Sequence, residues 1–314
     1  MMTASTEAED DRLRPLDLRS VFATQPPPLD FVLPGLVAGT TGVLVASGGT
    51  GKSMLSLQTA VSIACGRDLF GIWGENPAKG RVVIMAVEDT KAVLERRLHG
   101  IGKAIPPECL DDVVDGLDIL PGFGRGFSIA SLTPEGVVQS VPMAQFVESL
   151  ADRAPRLTVF DTFNRCLGGI SENESGPMGA VLSVVEAMCL KVGCASLIVH
   201  HTNKASAASG TASEQQAARG SSAITDNARW QVNLSTMTKD EAATRCIEDD
   251  GIRRSWVRLD LSKVNYGPPI AERWLHRIDG GVLTGKHGGL PEKEARRGGQ
   301  ISSGRRPRRD IDDE

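Results

Sequence analysis

The stretch VLVASGGTGKSMLSLQ, residues 43–58, constrains this chain more than any other: an apolar run stops at a glycine-rich turn, and a lysine and a serine then open a run of helix formers. A turn with so few side chains lets several backbone N–H groups converge on one anion at a helix N-terminus. Ser47, Gly48, Gly49, Thr50, Gly51, Lys52, Ser53 and Met54 are therefore expected to cradle phosphates. In that reading Lys52 reaches the β/γ oxygens and the Ser53 hydroxyl holds a magnesium ion. The pattern G-x-x-x-x-G-K-[ST] is met except at its first position, where Ala46 stands in for glycine. Alanine is acceptable there if the backbone keeps a negative φ. The plain alternative is a glycine-rich strand-to-helix turn with a solvated lysine.

Other strand-like runs end in chemistry. RLTVFDT is an apolar strand closing on Asp161, the form taken by a carboxylate that orients magnesium or its water. VIMAVEDT closes on Glu88 and Asp89: Glu88 is expected to be the base that accepts a proton from the attacking water, and Asp89 or Thr90 to cap the next helix. LIVHHTNK closes on His200 and His201. Neighbouring strand residues point to opposite faces, so one histidine is expected at the phosphate and the other in the core or at an interface, and shared ligation of a zinc ion is disfavoured.

These strands alternate with helix-like segments, among them Lys52 to Ala64, the run bearing Val93, Leu94, Leu98 and Ile101, MAQFVESLADRA and PMGAVLSVVEAMCLKVG. The expected fold class is α/β, a mainly parallel twisted sheet flanked by helices. Aromatic residues are only 4% of the chain, so Val, Leu, Ile, Met and Ala must fill that core. After residue 230, RWQVNLSTMT, RRSWVRLDLSKVNYG and ERWLHRIDGGVLTG predict antiparallel strands added to the sheet, with a turn at Asp279-Gly280. The expected organisation is a polar arm over residues 1–28 with a helix around Leu16 to Phe22, an ATPase domain over 29–285, and a disordered, locally basic tail over 286–314.

A net charge of −4 neither announces nor excludes nucleic acid, because a cleft or ring can gather basic groups on one inner face. The six cysteines form no C-x-x-C pair, as expected of reduced thiols in a cytoplasmic protein, and no run reads as a membrane span or signal peptide.

The phosphate loop, the glutamate of the second strand, the aspartate of the next main strand and a polar strand end after it together resemble the RecA-like ATPase core of DnaB-type hexameric helicases. The strings PPPLDFVLPGLVAGT, GGTGKSML, AVEDT, FDTFNR, SGPMG, HHTNK, ARGSSAITDNARWQ, LSKVNYGPP and DGGVL are similar, more closely, to the plasmid replication helicase RepA family. That resemblance implies a RecA-like P-loop NTPase that binds ATP and Mg²⁺ between subunits of a six-membered ring and threads single-stranded DNA through the pore. It also implies that Arg229 in DNARWQ is an arginine finger for the neighbouring subunit's γ-phosphate, and that Lys263 in LSKVNYG is a second basic group on that face. For both, a salt-bridged strand residue is the alternative. The chain departs from the wider pattern at Ala46 and in carrying histidine where those helicases have a sensor glutamine.

The long loops NRCLGGISENESGPMG and NKASAASGTASEQQAARGSS are expected to face DNA, with Arg165, Lys204 and Arg219 at phosphates and little base stacking. A replication initiator or primase is an expected further partner. Two functions stay open: a DNA-unwinding motor, and a nucleotide-switched DNA-binding or regulatory protein that does not unwind. A small-molecule kinase fits less well, since no arginine-rich lid appears between the helices.

Overall fold

A computed structural model describes residues 15–201, 223–286 and 290. Two units separate, residues 1–30 and 31–314. In the first, helix α1 spans Leu18–Ala23, two residues later than expected, because Asp17 caps it: the Asp17 carboxylate accepts the N–H groups of Arg19 and Ser20 at 3.1 and 3.3 Å.

In the second unit the chain runs through β1 (Phe31–Leu33), β2 (Leu36–Val37), β3 (Thr41–Ala46), α2 (Lys52–Cys65), β4 (Val82–Ala86), α3 (Lys91–Gly102), α4 (Pro107–Gly116) and β5 (Leu117–Pro121). It continues through the hairpin β6 (Ala130–Thr133) and β7 (Gly136–Gln139), α5 (Val141–Ala151), β8 (Leu157–Asp161), α6 (Ser175–Val192) and β9 (Ala195–His201). After the undescribed segment come α7 (Ala223–Asn227), β10 (Trp230–Thr236), α8 (Lys239–Ala243), α9 (Asp250–Ser255), β11 (Trp256–Val264), β12 (Arg273–Arg277) and β13 (Leu283–Thr284).

Among the described residues, nine strands form one sheet in the order β13-β12-β11-β10-β3-β9-β8-β4-β5. From β10 to β5 every pairing is parallel. The antiparallel part begins one strand later than the sequence predicts: β10 pairs in parallel with β3, and only β11, β12 and β13 alternate. The pattern misled because a strand buried on both faces carries no mark of its direction. Residue alternation splits the core in two. Leu44, Ile84, Val159 and Val199 face the layer of α2, α3 and α4, and Val45, Met85, Phe160 and Ile198 face α5 and α6.

Helix α2 is buried along almost its whole length, as a helix enclosed on every side must be. Helix α6 is 18 residues long with a mean hydropathy of 1.3, enough by those measures to cross a membrane. Its stripe of Met178, Val181, Leu182, Val185 and Met188 is nevertheless spent on the core beneath α5 and the sheet.

Candidate nucleotide site

Parallel strands bring their C-terminal ends to one edge, where open α/β sheets bind ligands. There β3 ends at the phosphate loop, β4 runs out towards Glu88, β8 ends at Asp161 and β9 ends at His201. Antiparallel β12 points the same way as β3 and ends there too, at Arg277. A cavity of about 290 Å³ opens between them, lined by the loop glycines, Lys52, Ser53, Met54, Glu88, Asp89, Arg97, His201 and Arg277. A hollow of about 760 Å³ around Lys239, Cys246 and Arg254, between α8 and α9, is larger but holds none of the strand-end carboxylates.

Ala46 is the last residue of β3 and keeps a negative φ, so the missing glycine costs nothing. The left-handed backbone falls instead on Gly49 (φ 77°) and Gly51 (φ 115°), which the sequence does supply. No atom lies within 4 Å of where a side chain on Gly48 or Gly49 would begin, which leaves the loop's inner wall open to a ligand. The hydroxyls of Ser47 and Thr50 bond at 2.7 Å and hold the turn closed.

Lys52 is 6% exposed. Its ammonium donates to Ser47 O at 3.2 Å and lies 3.3 Å from Nδ1 of His201. Burial lowers its pKa, and Glu88 and Asp161 oppose that shift. Burial pushes Asp161 up to about 6; Glu88 and Asp89 add to the rise, and a hydrogen bond from Ser53 and the charge of Arg97 work against it. One Asp161 oxygen, Oδ1, is buried without a hydrogen-bond partner. An orphaned carboxylate oxygen beside the Ser53 hydroxyl suits a hard cation that keeps most of its water and takes few protein ligands. The two residues thus fit Mg²⁺.

Of the paired histidines, His201 lines the cavity, and His200 is fully buried on the opposite face, edge-on to Phe163 at 6.3 Å. Strand alternation thus places His200 in the core and His201 at the cavity. Asp89 does not cap α3 either. Its carboxylate accepts from Arg97 at 3.2 Å, and Thr90, at the cap position, makes no side-chain cap bond.

Arg229 and Lys263 lie at the far end of the sheet. Trp230 pairs with Gly42, at the start of β3, and Gln231 pairs with Lys263. Arg229, which is exposed, is therefore about 15 Å of strand away from its own phosphate loop. Lys263 donates to the carbonyls of Thr225 and Asp226 at 2.9 and 3.0 Å, closing the C-terminal turn of α7. Two of its ammonium hydrogens thus go to the segment that leads into Arg229. Arg165 lies in a short 3₁₀ turn, Phe163–Cys166, directly after β8. Lys204 and Arg219 lie outside the described residues, as does nearly all of the tail over 286–314.

Arg277 was not foreseen. Its Nη2 donates to Thr50 O at 2.5 Å and to Gly49 O at 3.2 Å, and burial lowers its pKa. The available signal was its position, at a strand end just before an Asp-Gly turn.

Residues 7–207 match the AAA domain family. Among solved structures, one described as an ATPase domain superposes with a TM-score of 0.53 at 11% identity, covering 79% of this chain and 84% of that one. A DnaB-like replicative helicase, described together with its interactions with primase, superposes with a TM-score of 0.57 at 11% identity and covers 85% of this chain. This chain spans 64% of that helicase's length. The likeness is one of fold.

Proposed function

We propose, from the premise that this chain belongs to the AAA domain family, that it is an ATP-driven DNA helicase working as a ring of six copies in plasmid-type replication, in the cytoplasm. One observation carries the reading. Lys52, Ser53, Glu88 and His201 line one cavity, with the buried Asp161 hydrogen-bonded to Ser53, while Arg229 stands exposed at the opposite end of the sheet. The site has a base, a metal pair and a polar strand end. An arginine for its far side can come from Arg229 only in a second copy.

In this reading ATP occupies the cavity with its phosphates on the loop. Magnesium held by Ser53 and Asp161 would neutralise charge on the phosphate oxygens. Lys52 turns from Ser47 O to the β/γ oxygens. Glu88 accepts the proton of the attacking water, and the neighbour's Arg229 stabilises charge building on the γ-phosphoryl group. Lys52 leaves His201 when it takes up phosphate, so the contact at the end of β9 changes with nucleotide state. Single-stranded DNA runs past the segments that carry Arg165, Lys204 and Arg219, and an initiator or primase loads the ring.

ATP turnover with and without single-stranded DNA, on the native chain and on Glu88→Gln, followed by strand displacement on a forked duplex, tests this. DNA-stimulated turnover and displacement are expected in the native chain. In Glu88→Gln both should fall by about 10²–10⁴-fold while nucleotide binding persists. Nucleotide-dependent DNA binding without displacement would overturn the motor and leave a switch.

A further inference from the structure

The segment PGFGRGFS, residues 121–128, leaves edge strand β5 at the same edge of the sheet as the nucleotide cavity and carries two phenylalanines with opposite fates. Phe127 turns inward, stacked on Phe160 at 6.1 Å and edge-on to Phe146 at 5.8 Å. Phe123 turns outward, 48% exposed, at the tip of a tight turn closed by the Arg125 N–H on Gly122 O at 3.0 Å. An apolar core has no use for that second ring. Gly124 and Gly126 hold the turn with φ of 72° and 69°, and no atom lies within 4 Å of where their side chains would begin.

Phe123 is not alone. The guanidinium of Arg165, from the 3₁₀ turn after β8, stands 5.9 Å from the centre of its ring. Arg125 projects from the same turn and is exposed. Neither arginine has a carboxylate partner among the described residues. A half-covered aromatic ring with a cation against one side and a second cation beside it matches what single-stranded nucleic acid offers, a base face followed by phosphates.

We propose that Phe123, with Arg165 and Arg125, forms a stacking platform for one base of single-stranded nucleic acid. The inference rests on the helicase reading and deepens it: DNA is gripped by a base stack as well as by charge, and at a place the loop composition did not indicate. The platform is wired to the phosphate chemistry from both sides. Gly122 N–H donates to Ala86 O at 2.7 Å, two residues before Glu88, and Arg165 follows Asp161 by a single turn, its N–H on Thr162 O at 3.2 Å.

The test is fluorescence anisotropy of labelled oligothymidylate with the full chain and Mg²⁺-ATP analogue, over a series of salt concentrations. Phe123→Ala should weaken binding roughly 5- to 150-fold without changing the salt slope, because stacking releases no counterions. Phe123→Trp should retain affinity, and its emission should be quenched by the oligonucleotide. Arg165→Ala should weaken binding and lower the salt slope by about one. The two Phe123 variants should keep the native ATP turnover measured without DNA. If the native chain binds DNA and Phe123→Ala binds it equally well, the platform is refuted while the helicase reading survives. If Phe123→Ala instead lowers the assembly state in sedimentation velocity at unchanged DNA affinity per assembled ring, the ring is a contact between copies and the proposal is overturned. No DNA binding by the native chain would sink the helicase reading itself.

Discussion

Replacing Gln58 by methionine isolates how the last strand is fastened to the nucleotide site. Gln58 is fully buried in the middle of α2, and its amide pairs with the outer edge of β13: Nε2 donates to Leu283 O at 2.7 Å, and Oε1 accepts Leu283 N–H at 2.9 Å. Leu283 is also fully buried, so water cannot replace either bond. Methionine keeps the length and approximate volume, which confines the loss to hydrogen bonding. Each orphaned backbone group costs about 1–3 kcal/mol, so the pair should cost about 2–6 kcal/mol. In a domain near this size that lowers Tm by roughly 4–24 °C. Because β13 pairs with β12, whose last residue Arg277 braces the phosphate loop, nucleotide affinity should fall as well. Thermal melting followed by near-ultraviolet circular dichroism, with urea titration as a second measure, gives the loss. A fall under about 2 °C with unchanged nucleotide affinity would refute the view that this pairing fastens the edge.

Two further outcomes are expected. Arg229→Ala and Lys52→Ala should each be inactive alone, but mixed they should regain part of the turnover, because one kind of interface then joins an intact phosphate loop to an intact Arg229; failure to complement, with mixed assembly verified, would place the arginine elsewhere. A thiol reagent added to the native chain should find about one of the six cysteines quickly, since Cys246 is exposed and the other five are buried; fast reaction of two or more would contradict that burial.

The phosphate loop was legible because glycine placement, a lysine and a helix start obey local rules, and Gly49 and Gly51 take the left-handed backbone that those rules require. The positions of Asp161 and Glu88 at the sheet edge were legible because each closes an apolar run that reads as a buried strand. The hairpin of β6 and β7 was missed: its strands are four residues each, half exposed, and carry no sustained alternation. Helix α4 was missed as well, since its ten residues bury only Cys109 and Val113.

What the sequence by itself determined is therefore the local chemistry: a strand, a phosphate-binding turn, a buried helix, and carboxylates at strand ends, each readable within a window of some fifteen residues. Tertiary structure decided which of these meet. It sent His201 to Lys52 and His200 to Phe163, and it spent Lys263 on the turn before Arg229. It also carried Arg277 across 227 residues to Thr50 and set Arg165 against Phe123. The physical reason is that strand order and direction are set by burial summed over the whole sheet, so a side chain's partner across strands depends on pairings that no stretch of sequence encodes alone.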